Sequence, residues 1–174
     1  RLSGSGGQGI ILMGIILAEA IGIYDGRFVA QTQSYGPEAR GGSSKAEVVV
    51  SEDDIDYPKA TDPDFLLALT TDAYKAYGTL MGKGLIIVDS SVCLDPAIAA
   101  RTVAVPILDT AATTIGKKVV ANIVALGVLG GVSGVVRQAT LEKAVLNRVP
   151  KGTEDLNLKA LRAGFELAAK ATKA

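Results

Sequence analysis

At 174 residues and 48% hydrophobic, the chain has the length of one ordinary domain and ample apolar material for a core. Its 18 basic and 18 acidic residues balance and no long block of one sign occurs, so neither nucleic acid nor an anionic membrane is a favoured partner. One cysteine and no histidine exclude an intrachain disulfide framework, and with no secretory leader in view they point to a reducing, cytoplasmic setting.

In chain order, residues 1–3 read as the end of a first strand, and residues 9–22 as a helix apolar nearly all round, with Glu19 its one charge. Such a helix needs cover on both sides. Residues 28–32 form a short strand, 33–42 an irregular loop and 45–51 a second β-branched strand, so the loop interrupts two strands. The acidic, proline-bearing stretch 52–64 is a surface connection, and Asp53, Asp54 and Asp56 in it match no calcium-loop spacing. Two continuous apolar runs, 65–69 and 85–89, are of the fully buried strand type, with helical spacing over 71–81 between them. Residues 103–108 add a strand, 119–129 a buried helix, 140–147 a short helix and 153–171 an amphipathic one whose stripe is Leu158, Leu161, Phe165 and Ala168. Glu154 and Asp155 suit the positive end of that last helix. The alternation predicts a three-layer α/β/α single domain over residues 1–174, with a mostly parallel or mixed sheet and a Rossmann-like start.

The uncharged run 119–136 raises a membrane span, but Asn122, Ser133 and four glycines dilute it and no second comparable run exists. A helix buried inside a soluble protein accounts for the same residues.

Gly4, Gly6 and Gly9 fit the G-x-G-x-x-G spacing between a strand end and a helix, where backbone N–H groups and the helix dipole receive a phosphate. An NAD or FAD site also needs an acid at the end of the following strand, and residues 30–34 read Ala, Gln, Thr, Gln, Ser. Three readings stand: an anion site, a dinucleotide site without its acid, and a sharp turn that packs helix on strand. A second glycine-bearing stretch, Tyr35, Gly36, Pro37, Glu38, Ala39, Arg40, Gly41 and Gly42, mounts one guanidinium on a proline-fixed turn. Arg40 there can grip a phosphate or carboxylate bidentately, or pair with Glu38.

The absences carry weight too. With no histidine and one cysteine, the chain by itself assembles neither a Cys/His zinc site, a Cys-His nucleophile pair nor a four-cysteine cluster. It also lacks the Gly-Asp-Gly with a downstream Asn that holds a magnesium diphosphate in thiamine enzymes. Cys93 between Val92 and Leu94 reads as a packed small hydrophobe. No catalytic residue and no metal ligand is assigned.

The glycine turn Gly4-Ser5-Gly6-Gly7-Gln8-Gly9-Ile10, the stretch from Tyr35 to Gly42, then Val48-Val49-Val50-Ser51, Ile55-Asp56-Tyr57-Pro58 and Pro63-Asp64 resemble, in order and spacing, the gamma subunit or gamma domain of 2-oxoacid:ferredoxin oxidoreductases. The resemblance runs over nearly the whole chain, and the tyrosine and proline of the second loop are more like the 2-oxoglutarate branch than the pyruvate branch. It implies oxidative decarboxylation of a 2-oxoacid on thiamine diphosphate with magnesium, electron transfer through iron–sulfur clusters to ferredoxin, and capture of the acyl group by coenzyme A. It further implies alpha, beta and delta subunits as partners, with thiamine and clusters on those subunits and none of these cofactors held by this chain alone. Gly6, Gly7, Gln8 and Gly9, with Tyr35, Gly36, Pro37, Glu38, Arg40, Gly41 and Gly42, are then expected at a cofactor cavity or subunit interface. The two nearly all-apolar helices are expected to serve a large permanent interface. The alternatives are a self-sufficient NAD- or FAD-binding oxidoreductase or regulator, and an interaction module without a ligand.

Overall fold

The structure, a computed structural model, describes residues 1–35 and 43–173. Among these residues six strands, β1 (Leu2–Ser5), β2 (Phe28–Tyr35), β3 (Ser43–Ser51), β4 (Phe65–Ala68), β5 (Leu85–Asp89) and β6 (Thr102–Val105), form one sheet in the order β2-β3-β1-β4-β5-β6. β1, β4, β5 and β6 are parallel, whereas β3 is antiparallel to both of its neighbours, β1 and β2. The sheet is therefore mixed. The helices are α1 (Ile10–Glu19), α2 (Thr71–Gly78), the short α3 (Ile107–Asp109), α4 (Ala121–Ser133), α5 (Gln138–Arg148) and α6 (Glu154–Ala171).

Alternation along the buried strands divides the core between the two faces of the sheet. Leu67 and Ile87 join the larger cluster with α1, α4, α5 and α6, while Leu66, Ala68, Ile86 and Val88 pack with Ala73 and Tyr74 of α2. The three layers are thus unequal, with α2 the main helix on its face. β3 follows the same rule: Ala46, Val48 and Val50 face the larger cluster, so Lys45 and Glu47 point the other way.

Much of the apolar character of α1 and α4 is explained by burial within the chain, while Ile11, Leu12 and Ile15 of α1 are only partly covered by it. α1 lies on β3, where Gly14 lets Ala46 approach, and its other sides meet α4 and α5. Its continuation Ala20–Tyr24 is a wider π-type turn. α4 is buried from Asn122 through Gly130 and packs along α6. A Cβ at Gly127 would stand 2.2 Å from the Leu161 carbonyl oxygen, and one at Gly164 would stand 2.1 Å from that of Val124. Glycines there let the two backbones touch.

The charged groups on the larger face tie its helices together. Glu19, at the end of α1, accepts hydrogen bonds from Asn147 Nδ2 at 2.9 Å and from Arg148 Nε, both of α5. Asp25 accepts from Arg137 Nη2 at 2.6 Å and from Thr140 Oγ1 at 3.0 Å. Burial works against the Glu19 carboxylate, but the bonds from Asn147 and Arg148 outweigh it and hold the carboxyl below the ordinary glutamate range.

Several boundaries differ from the sequence expectation, each for a local reason. β1 runs on through Gly4 to Ser5 because β3 pairs with it residue by residue. β2 extends to Tyr35 for the same reason. The strand expected over 103–108 stops at Val105, because Pro106 has no N–H for the ladder and the chain turns into α3. The final helix buries Ala160, Leu161, Gly164 and Ala168, while Leu158 and Phe165 are only partly covered. Cys93 is exposed rather than packed, since Val92 takes the inward position in the turn after β5. Asp53, Asp54 and Asp56 are exposed as expected. No helix among the described residues is long and apolar enough to cross a membrane.

Candidate functional site

The glycine turn is closed by its own glutamine. Ser5 N–H donates to Gln8 Oε1 at 2.7 Å, and Gln8 N–H donates to the Ser5 carbonyl at 3.2 Å. Gly7 (φ 88°) and Gly9 (φ 71°) take the left-handed conformation, which favours glycine, and Gly9 is the N-cap of α1. The glycines have separate reasons to be bare. A Cβ at Gly4 would come within 2.5 Å of Gln8 Oε1, and one at Gly9 within 2.3 Å of Asn122 Nδ2. A Cβ at Gly7 would meet none of the described residues within 4 Å. Two positions therefore serve packing, whereas the Gly7 backbone is left bare by the described residues.

Among the described residues no side chain caps α1, and its first turn holds no acid. Its leading N–H groups lack intrahelical acceptors by geometry, so the turn ends in a cluster of free donors at the positive end of a helix. The topology places that cluster where open α/β sheets bind ligands. From β1 the chain crosses through α1 towards β2, and from β4 it crosses through α2 towards β5, on the opposite face and in the opposite direction. The crevice outside the carboxyl ends of β1 and β4 is thus a topological switch point.

The second predicted stretch is anchored at the same edge. Ser43 pairs with Ser5, and Tyr35 pairs with Ser44, so both described ends of that loop lie beside the start of the glycine turn. Ser3 Oγ donates to the Ser44 carbonyl at 3.2 Å, and Ser44 Oγ to the Ser5 carbonyl at 3.4 Å, which fixes the join. Gly36, Pro37, Glu38, Arg40, Gly41 and Gly42 lie outside the described residues, as does the Tyr35 side chain. Gly6, Gly7, Gln8 and Gly9 are described and sit together in the turn.

Sequence reasoning missed Asn122. It lies in the first turn of α4, is buried, and sets its amide over Gly9. The available signal was an amide near the start of a run otherwise suited to a membrane. Asp89, at the carboxyl end of β5, is fully employed: it accepts from the N–H and hydroxyl of Ser91 and from Leu108 N–H at 2.8 Å. Glu47 is likewise structural, held by Arg1 Nε at 2.8 Å and Lys45 Nζ at 3.1 Å. Burial disfavours its charge, but those two cations bring its carboxyl below the ordinary range.

A cleft of about 720 Å³ lies at the opposite end of the sheet, among the strand starts Leu2, Phe65 and Leu85, and does not include the glycine turn. No group of three or more His, Cys, Asp or Glu among the described residues has a metal-holding arrangement. A single cysteine is too few for the four thiolates of an iron–sulfur cluster. The strand order also removes the geometric basis of the dinucleotide alternative. The parallel neighbour of β1 is β4, which ends at Ala68-Leu69-Thr70 with no carboxylate for a ribose, while β2 is separated from β1 by β3.

Comparison with known proteins accords with this geometry. Residues 1–167 match the family described as pyruvate ferredoxin/flavodoxin oxidoreductase. The KorC subunit of 2-oxoglutarate synthase from Methanocaldococcus jannaschii is 46% identical over 172 residues, spanning 97% of this chain and 92% of that one. The crystal structure of a keto/oxoacid ferredoxin oxidoreductase gamma subunit from Geobacter sulfurreducens superposes with a TM-score of 0.86 at 45% identity, covering 98% of this chain and 95% of that chain. A 2-oxoglutarate:ferredoxin oxidoreductase from Magnetococcus marinus, with 2-oxoglutarate, coenzyme A and succinyl-CoA bound, shares the fold at a TM-score of 0.85 and 24% identity, over 99% of this chain and 31% of its own. The chain belongs to the pyruvate ferredoxin/flavodoxin oxidoreductase family.

Proposed function

We propose that this chain is the gamma subunit of a 2-oxoglutarate:ferredoxin oxidoreductase, an assembly that converts 2-oxoglutarate and coenzyme A to succinyl-CoA and carbon dioxide while reducing ferredoxin. The observation that carries this is the 46% identity to a 2-oxoglutarate synthase subunit over nearly the full length of both chains. The whole of residues 1–174 acts as one gamma-type domain, working in the cytoplasm beside alpha, beta and delta subunits. Thiamine diphosphate, when bound on a companion subunit, supplies the electron sink for decarboxylation, and clusters on companions pass the electrons to ferredoxin. The placement of the clusters is supported by a chain with one cysteine.

The contribution of this chain is structural and positional. The edge formed by Gly6 to Gly9 and by the stretch from Tyr35 to Gly42 faces the companion subunits and coenzyme A. Support comes from the switch-point position of the turn, from its uncapped helix and from a distant relative that carries coenzyme A. Arg40 supplies a guanidinium to that edge for a phosphate or carboxylate.

Purification at native level tests the assignment. The chain is expected to bring companions that carry thiamine diphosphate and clusters, and the assembly to reduce ferredoxin with 2-oxoglutarate and coenzyme A in preference to pyruvate. A solitary chain, or companions without thiamine, would overturn it. Replacing Arg40 with alanine is expected to impair assembly or raise the coenzyme A requirement, and unchanged assembly and kinetics would remove Arg40 from the account.

A further inference from the structure

We propose that Asn122 is an anion-contacting residue, donating its side-chain Nδ2–H to a phosphoryl oxygen of a ligand seated over Gly7 and Gly9 at the start of α1. The argument begins with two uncapped helices. Among the described residues neither α1 nor α4 has a side-chain N-cap or an acid in its first turn, so these leave the positive ends of both dipoles without a negative group. They also meet: Asn122, in the first turn of α4, lies over Gly9, the N-cap of α1. Each end carries roughly half an elementary charge, so together they offer about one unit of positive potential without any basic side chain.

Asn122 supplies the second, independent observation. Its residue exposure is 8%, and its Oδ1 accepts the Ile123 N–H at 3.0 Å, which fixes the amide so that Nδ2 is the end set over Gly9. Among the described residues that Nδ2 has no acceptor, although every fully buried side-chain nitrogen and oxygen does have a partner. The Asn122 nitrogen is therefore accessible from outside and aimed at the turn. Its donor is free of protein acceptors among the described residues, so a ligand oxygen can take the place of water there without breaking a bond within the fold. The bare backbone of Gly7, with none of the described residues within 4 Å of a built Cβ, leaves room among them for an acceptor larger than water. Asparagine also fits better than aspartate here, because a carboxylate would neutralise the potential that the two helix ends create.

The ligand chemistry is a phosphate or diphosphate ester. Coenzyme A and thiamine diphosphate are its two sources, and preference for the former rests on the function proposed above. The test uses the full chain labelled with nitrogen-15, titrated with coenzyme A, thiamine diphosphate and inorganic pyrophosphate at matched ionic strength. Saturable shifts are expected at the Gly7 and Gly9 amides and the Asn122 side-chain amide, with coenzyme A at least tenfold tighter than pyrophosphate. Asn122→Asp should weaken binding tenfold or more and Asn122→Ala by several-fold, with the rest of the spectrum unchanged. Tighter binding of thiamine diphosphate would keep the site and reassign its source. No saturable shift with any probe, or wild-type binding by either folded variant, would overturn the proposal. Since the titration needs no companion subunit, its failure is distinct from failure of the assembly to form.

Discussion

Two glycine-rich regions of this chain look alike as text and differ in use. In the turn after β1, Gly7 has a positive φ and none of the described residues against its missing Cβ, beside the leading amides of α1. Along α4 and α6, Gly127 and Gly164 lie where the missing Cβ would strike the backbone of the other helix. The first region leaves backbone donors uncovered by the described residues, and the second brings two helices into contact. What a glycine means is decided by what its absent side chain would meet.

The largest expected effect comes from the seam. In an isolated helix Gly→Ala is stabilising by about 1 kcal/mol. Gly164→Ala should instead destabilise by about 3 kcal/mol, because its Cβ would lie 2.1 Å from the Val124 carbonyl oxygen and the helices must part. Urea denaturation reads the sign directly, and a stabilised variant would refute close backbone contact. Next is Glu19→Gln, which replaces the charged acceptor of Asn147 and Arg148 and should cost about 2 kcal/mol at neutral pH.

That loss has a defined pH dependence. The folded-state carboxyl of Glu19 titrates below its ordinary value of 4.5, so its contribution is fully present above that pH and disappears as pH falls through the lower, folded-state value. Wild type and Glu19→Gln should therefore converge in stability below pH 4.5, and a difference that persists in strong acid would show that the effect is packing. Gly7→Ala should cost about 1 kcal/mol for its positive φ alone, with no clash. It sharpens the comparison, since ligand binding is expected to suffer more than stability does. The smallest effect belongs to the exposed pair of Arg162 with Glu142, 2.9 and 3.1 Å apart at its two contacts, where solvent screens the charges and Arg162→Ala should leave the denaturation midpoint almost unchanged.

Local pattern made much of this fold legible. The continuous apolar runs at 65–69 and 85–89 are central parallel strands because burial on both faces demands such composition. The last helix was legible from its stripe, but Gly164 was not, since its role depends on the Val124 carbonyl forty residues earlier. The turn at Gly4–Gly9 could be located from spacing, yet the sequence could not separate a packing glycine such as Gly9 from an open one such as Gly7. That distinction needs Asn122, more than a hundred residues away. Pairing of Ser5 with Ser43 likewise joins the two predicted loops only once β3 is inserted beside β1. All-round hydrophobicity on α1 and α4 marks burial without saying by which chain, and the sequence could not show how much of it this chain's own helices cover.

Amide hydrogen exchange on the full chain, alone and with its companion subunits and coenzyme A, tests the division between the two glycine regions most directly. Protection should rise over residues 6–12 on assembly, while residues 121–133 and 154–171 are already protected in the chain alone. Unchanged exchange over residues 6–12, or new protection along α4 and α6, would contradict it.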